Sequence, residues 1–122
     1  MHIHVLEKDH YRTAVIESDA IVIHNTQDAL DLLGNASYQG CDSVVLTKEQ
    51  LSDDFFELRT KLAGDILQKF TNYQMKLAIV GDFSRIESKS LRDFIYECNE
   101  GRQFAFKPTV EEALASLYDR NE

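Results

Sequence analysis

Apolar positions change period along the chain, and each change predicts an element. Over residues 1–18, Ile3 and Val5 alternate with His2 and His4, and Ala14 and Ile16 alternate with Thr13 and Val15. A period of two marks a half-buried strand, so this stretch predicts a β-hairpin turning around Glu7-Lys8-Asp9-His10. Ala20-Ile21-Val22-Ile23 predicts a short third strand. The period then becomes helical: Ala29, Leu32, Leu33 and Ala36 form one stripe, with Asp28, Asp31 and Asn35 on the wet face. Ser43–Thr47 (SVVLT) and Lys76–Val80 (KLAIV) are apolar on both faces, the pattern of central parallel strands shielded by crossover helices.

Between those strands a long helix is predicted over Asp53–Thr71, with Phe55, Leu58, Leu62, Ile66 and Phe70 as its buried stripe. Gly64 inside it suggests a close backbone approach. A further helix spans Leu91–Asn99 and is capped by Gly101, where positive φ is expected. Gln103–Phe106 is the last strand, stopped by Pro108. Thr109-Val110-Glu111-Glu112 is a capping box opening a final helix with Val110, Ala113, Leu114 and Leu117 inside. The order β-β-β-α-β-α-β-α-β-α predicts one α/β domain over residues 1–122. It has an N-terminal hairpin, then alternating units in a mostly parallel sheet flanked by four helices.

Charge narrows the function classes. Lys and Arg total 13 against 21 Asp and Glu, giving a formal −8. No basic stripe is visible, which argues against nucleic acid and against anionic membranes as partners. Apolar runs of four residues are far short of the about twenty that span a bilayer. Cys41 and Cys98 match no zinc or redox spacing, so two free thiols and a cytoplasmic location are expected.

Five segments carry a family resemblance: Gln27–Leu32 (QDALDL), Asn35–Asp42 (NASYQGCD), Ile66–Tyr73 (ILQKFTNY), Leu77–Ser84 (LAIVGDFS) and Ser88–Arg102 (SKSLRDFIYECNEGR). They resemble a bacterial family catalogued as domain of unknown function 4180, which brings no activity with it. At longer range the strand–helix order, from Val44 to Phe70 and again at Glu112-Ala113-Leu114, is similar to STAS (anti-sigma-factor-antagonist) domains. That likeness implies a non-enzymatic switch. Its phosphorylated Ser would fall at Ser52 in Leu51-Ser52-Asp53-Asp54, which keeps one Ser of the usual Asp-Ser-Ser-Gly pattern.

Three segments are candidate sites. Ser52, Asp53 and Phe56 form a partner-binding or phospho-switch candidate, with plain N-capping by Ser52 as the simpler reading. The turn with Gly81, Asp82, Ser84, Arg85, Ser88, Lys89, Ser90 and Arg92 gathers cations and hydroxyls at a helix N-terminus. That chemistry suits an anionic small molecule beyond the carboxyl ends of the strands. The simpler reading there is a cap at Ser88 or Ser90 with solvated cations. Asn35, Tyr38, Gln39 and Asp42 form a polar run at the opposite end of the sheet, with Gly40 as a left-handed residue. His2 and His4 share a strand face, but with His24 they lack a complete metal-ligand set, so no metal is expected. No G-x-S-x-G, P-loop or G-x-G-x-x-G is present, which leaves no catalytic residue to name and no cofactor to expect. The STAS resemblance implies a binding or regulatory module with an unidentified protein partner, the alternative being an anionic small-molecule binder or weak enzyme at the Gly81–Arg92 turn. The open first strand predicts a homodimer.

Overall fold

The computed structural model describes residues 1–8 and 10–118. Strands β1 (His2–Lys8) and β2 (Tyr11–Glu17) form the antiparallel hairpin, with Lys8 opposite Tyr11. The part of the expected turn at Asp9 lies outside the described residues. Helix α1 (Thr26–Tyr38), strand β3 (Ser43–Thr47), helix α2 (Leu62–Asn72) and strand β4 (Lys76–Val80) follow. Helix α3 (Lys89–Glu100), strand β5 (Phe104–Lys107) and helix α4 (Val110–Tyr118) complete the chain. The five strands lie in sequence order, β1-β2-β3-β4-β5, and every pair after the hairpin is parallel.

That order decides where the helices go. Three successive right-handed crossovers moving in one direction place their helices on one face of the sheet. Accordingly α1, α2 and α3 bury Leu33, Ile66, Phe70 and Ile95 against Val44, Leu46, Leu77 and Ile79. The opposite face is covered by α4, whose Ala113, Leu114 and Leu117 pack on Val45, Ala78 and Ala105. The two-sided apolar strands are thus shielded by three crossover helices on one side and by the closing helix on the other.

Two predicted elements are corrected. Ala20–Ile23 is not a strand: one bridge, Ile23 to Leu51, replaces it. Gln50 O accepts from the amides of Val22 and Ile23, and Ser52 N donates to Ile23 O, knitting two loops together. The helix expected over Asp53–Thr71 begins only at Leu62. Ahead of it stand short 3-10 turns at Asp53–Phe56 and Leu58–Thr60. The Thr60 hydroxyl lies 2.7 Å from Asp54 O and 2.9 Å from Glu57 O, competing for the carbonyls a continuous helix would use. Lys61 then adopts φ 67°, which no helix interior tolerates.

Smaller expectations divide. Gly40 is left-handed at φ 79°, as expected. Gly101 does close α3, but at φ −86°, so its freedom at positive φ is not the reason. Gly64 faces open space and permits no close approach. Thr109 Oγ1 accepts from Glu112 N at 3.1 Å, opening α4 as the capping pattern predicts. Among the described residues no helix is long and apolar enough to cross a membrane.

The two rims of the sheet are treated differently. On β5, Gln103 and Lys107 turn their carbonyls to β4, accepting from Leu77 N and Gly81 N. Phe106 therefore points its amide and carbonyl outward. The Asn99 side chain of α3 takes both, at 2.7 Å and 3.2 Å. Among the described residues no strand lies beyond β1.

Both thiols are free. Burial pushes Cys98 from 9.0 up to about 11, with Glu97 adding to the effect. Its thiolate fraction near neutral pH should be reduced about a hundredfold, since each pH unit is a factor of ten. Alkylation followed by mass spectrometry at pH 8 should show correspondingly slow labelling of Cys98, restored in denaturant. The stability tied to this thiol is present below pH 9.0 and declines as the pH rises toward about 11. Labelling of Cys98 at the rate of a free thiol would contradict its enclosure.

Candidate functional site

The carboxyl ends of β3 and β4 are adjacent, so the loops that leave them meet. A cleft of about 530 Å³ lies between the 3-10 segment after β3 and the loop entering α3. Its apolar lining is Phe56, Ile86 and Leu91, and its charges come from Lys48, Asp53, Glu57, Arg85 and Glu87. Two segments read separately in the sequence, Asp53–Phe56 and Arg85–Ser88, become opposite walls of one hollow.

Its floor rests on a run of rings. Phe56 packs on Phe55 with centroids 5.0 Å apart, and Phe83 meets Phe56 at 6.3 Å and Phe106 at 5.4 Å. No local pattern marks Lys48, yet it joins the two walls. Its Nζ donates to Asp82 O at 3.1 Å and lies 5.5 Å from the Phe83 ring centre. Gly81 is required beneath it, because a Cβ there would sit 2.8 Å from Lys48 Cβ.

The remaining expected residues separate. Gly81, Asp82 and Ser84 border a smaller hollow of about 220 Å³ with Phe83, Phe106 and Pro108. Asp82 accepts from Ser84 Oγ at 2.6 Å and Ser84 N at 2.9 Å. Those bonds hold its carboxyl below the usual carboxylate range. Ser88 is the N-cap of α3, accepting from Leu91 N at 3.2 Å. Lys89 pairs with Asp93 at 2.7 Å, and Ser90 is exposed on the first turn. Arg92 Nη1 donates to the carbonyls of Ile86 and Glu87, both at 2.9 Å. Its guanidinium therefore braces the loop instead of facing the cleft.

Ser52 does not act as the expected cap. Its Oγ is enclosed, has no hydrogen-bond partner among the described residues, and makes no cap bond to the turn that follows. Asp53 and Phe56, its neighbours, do reach the cleft. Arg85 is exposed and forms no ion pair among the described residues. The cleft's cations, Lys48 and Arg85, are outnumbered by Asp53, Glu57 and Glu87. That balance disfavours a small anion held by charge alone.

At the other end of the sheet the polar run is largely structural. Gln39 donates its side-chain amide to Asn35 Oδ1 at 3.1 Å, and its carbonyl accepts from Arg12 at 3.0 Å. Tyr38 is 91% exposed. Asp42 accepts a 2.5 Å bond from the Tyr118 hydroxyl, and Tyr118 stacks flat on Tyr11 at 4.0 Å. Beneath them Thr13 and Ser43, both fully buried, share a 2.7 Å hydrogen bond. Burial and the Asp42 bond push the Tyr118 phenol well above its ordinary range, which keeps it a donor. This latch fastens α4 to the sheet. No pattern in the sequence paired residues so far apart.

His24 Nδ1 lies 3.1 Å from Asp28 Oδ2. The Asp28 carboxyl is held low first by the His24 backbone N–H and further by its ring. Among the described residues no three His, Cys, Asp or Glu converge as metal ligands.

A search of curated proteins and of solved structures returned no match. Residues 8–117 match the family described as Domain of unknown function (DUF4180). The match spans most of the 122-residue sequence, from the end of β1 into α4. The chain belongs to the DUF4180 family.

Proposed function

We propose that this chain is a non-enzymatic, cytoplasmic regulatory module that recognises a protein partner through the cleft between the 3-10 segment and α3. One observation carries the reading: an apolar floor of Phe56, Ile86 and Leu91 ringed by charges of both signs. A protein segment offers an apolar side chain for the floor and polar neighbours for the rim, whereas a small anion would meet three carboxylates. The guanidinium of Arg85, which forms no ion pair among the described residues, suits a carboxylate on that segment. The resemblance of the sequence from Val44 to Phe70 to STAS domains, which are partner-binding switches, is in keeping with the same reading. It needs no phosphate on Ser52, whose hydroxyl is enclosed. The free thiols suit a reducing compartment.

Affinity capture with quantitative proteomics tests it. Phe56→Glu and Arg85→Glu should each weaken retention of the same partner at least about tenfold, the loss typical of an interface anchor. Tyr38→Ala, at the other end of the sheet, should leave retention unchanged. A partner held equally by all variants would refute the cleft as the interface. Thermal stabilisation by pyrophosphate, abolished in Arg85→Ala, would favour an anionic small molecule instead.

A further inference from the structure

The two rims of the sheet differ in a way that points to a second copy of this chain. Asn99 fills the outward amide and carbonyl of Phe106 on β5, as a neighbouring strand would. This is how edge strands are made safe from pairing. Among the described residues no strand pairs with the outer side of β1.

Which backbone groups stand open on β1 follows from the register. Arg12 O accepts from Asp42 N, and Ile16 O accepts from Gln50 Nε2, so the even residues of β2 turn away from β1. Their partners are Glu7, Val5 and Ile3. In an antiparallel ladder, residues opposite each other without mutual bonds turn their backbone groups to the outside. Ile3, Val5 and Glu7 therefore present a row of donors and acceptors along the rim. The strand is seven residues long and contains no Pro.

We infer that the outer rim of β1 pairs antiparallel with β1 of a second copy, about a two-fold axis at Val5, extending the sheet across the dimer. This interface is independent of the cleft. In that register Ile3 faces Glu7 of the second copy, and Val5 faces Val5, so all three outward residues of each strand are satisfied. Charge permits the approach. β1 carries one acidic residue, Glu7, and one basic residue, Lys8, within a chain of formal charge −8. The two-fold separates Glu7 from its own copy by four residues, about 14 Å. That is beyond the screening length of about 8 Å at physiological salt. A strand lent by an unrelated protein would use the same groups. The second copy is favoured because β1 is neutral and opposes its own charges harmlessly.

Light scattering after size exclusion should give twice the 14.0 kDa chain mass at micromolar concentration. Val5→Pro removes an N–H that makes no bond within the hairpin, so it should give a folded monomer with an unchanged circular dichroism spectrum. If that variant misfolds, cysteine cross-linking still decides. Val5→Cys should oxidise to a covalent dimer, because facing Cα atoms lie about 5.5 Å apart in such a pair. Ile3→Cys should not, its copies being about 14 Å apart. A monomeric wild-type chain, a dimer that survives Val5→Pro, or cross-linking through Ile3→Cys in place of Val5→Cys would overturn the inference.

Discussion

Replacing Phe55 by Ala is expected to lower the free energy of unfolding by about 3–5 kcal/mol, the range for removing a buried ring. Phe55 is 1% exposed and belongs to the core cluster that contains Ala63, Ile66 and Phe70 of α2. It sits on a four-residue 3-10 turn with no side-chain cap, so burial of its ring is the main hold on that wall of the cleft. Against a typical total of about 5–15 kcal/mol, the loss would be a large fraction of the stability. Urea denaturation should show it, and partner retention should fall too, because Phe56 leans on the missing ring. Phe55→Leu, which keeps much of the volume, should cost markedly less. A cost below about 1 kcal/mol for Phe55→Ala would mean that the site collapses without strain.

The second large effect is expected at Gln50, which is 3% exposed. Its Oε1 accepts from Thr47 N at 2.9 Å, and its Nε2 donates to Ile16 O at 3.1 Å and Ser18 O at 3.3 Å. One amide thus joins the end of β2 to the end of β3. Gln50→Ala would orphan those groups, at about 1–3 kcal/mol for each that stays dry. A net loss of about 2–4 kcal/mol is expected once water reaches Ser18. Gln50→Glu is the sharper variant, since its carboxylate would face two carbonyl oxygens. The folded state should raise that carboxyl's pKa, so stability is retained below the unfolded value near about 4.3 and lost as pH rises. Denaturation midpoints at pH 4 and pH 7 measure this. Equal midpoints would show that the carboxylate has found water.

How much was legible in the sequence depended on the range of the interactions. α1, α3, β3 and β4 are readable because their stripes and runs report local burial, as all four predicted α1 positions, Ala29, Leu32, Leu33 and Ala36, illustrate. The stretch before Leu62 was misread because Phe55, Leu58 and Leu62 keep three- and four-residue spacing whether the backbone is α or 3-10. The deciding groups were a hydroxyl on Thr60 and a left-handed Lys61, neither of which alters the apolar pattern. Ala20–Ile23 looked like a strand by composition, yet Gln50 O captures the amides of Val22 and Ile23. The cleft's two walls are each legible in the sequence, but their meeting follows from β3 lying beside β4. Lys48, Gln50 and the Tyr118 latch act across distances in sequence that no periodicity records.

The sequence-ordered sheet has a consequence for how the chain reaches its native state. Each strand from β2 onward docks on the strand made just before it, with one helix in between. No gap must be held open for a later segment, so a growing chain can build the sheet outward from the hairpin as it emerges. Each parallel pairing must still close over a crossover helix, as Thr13 does with Ser43, so these steps are slower than formation of the local hairpin. The last piece to arrive, α4, covers the face that has been waiting bare, which makes its docking the closing step of assembly.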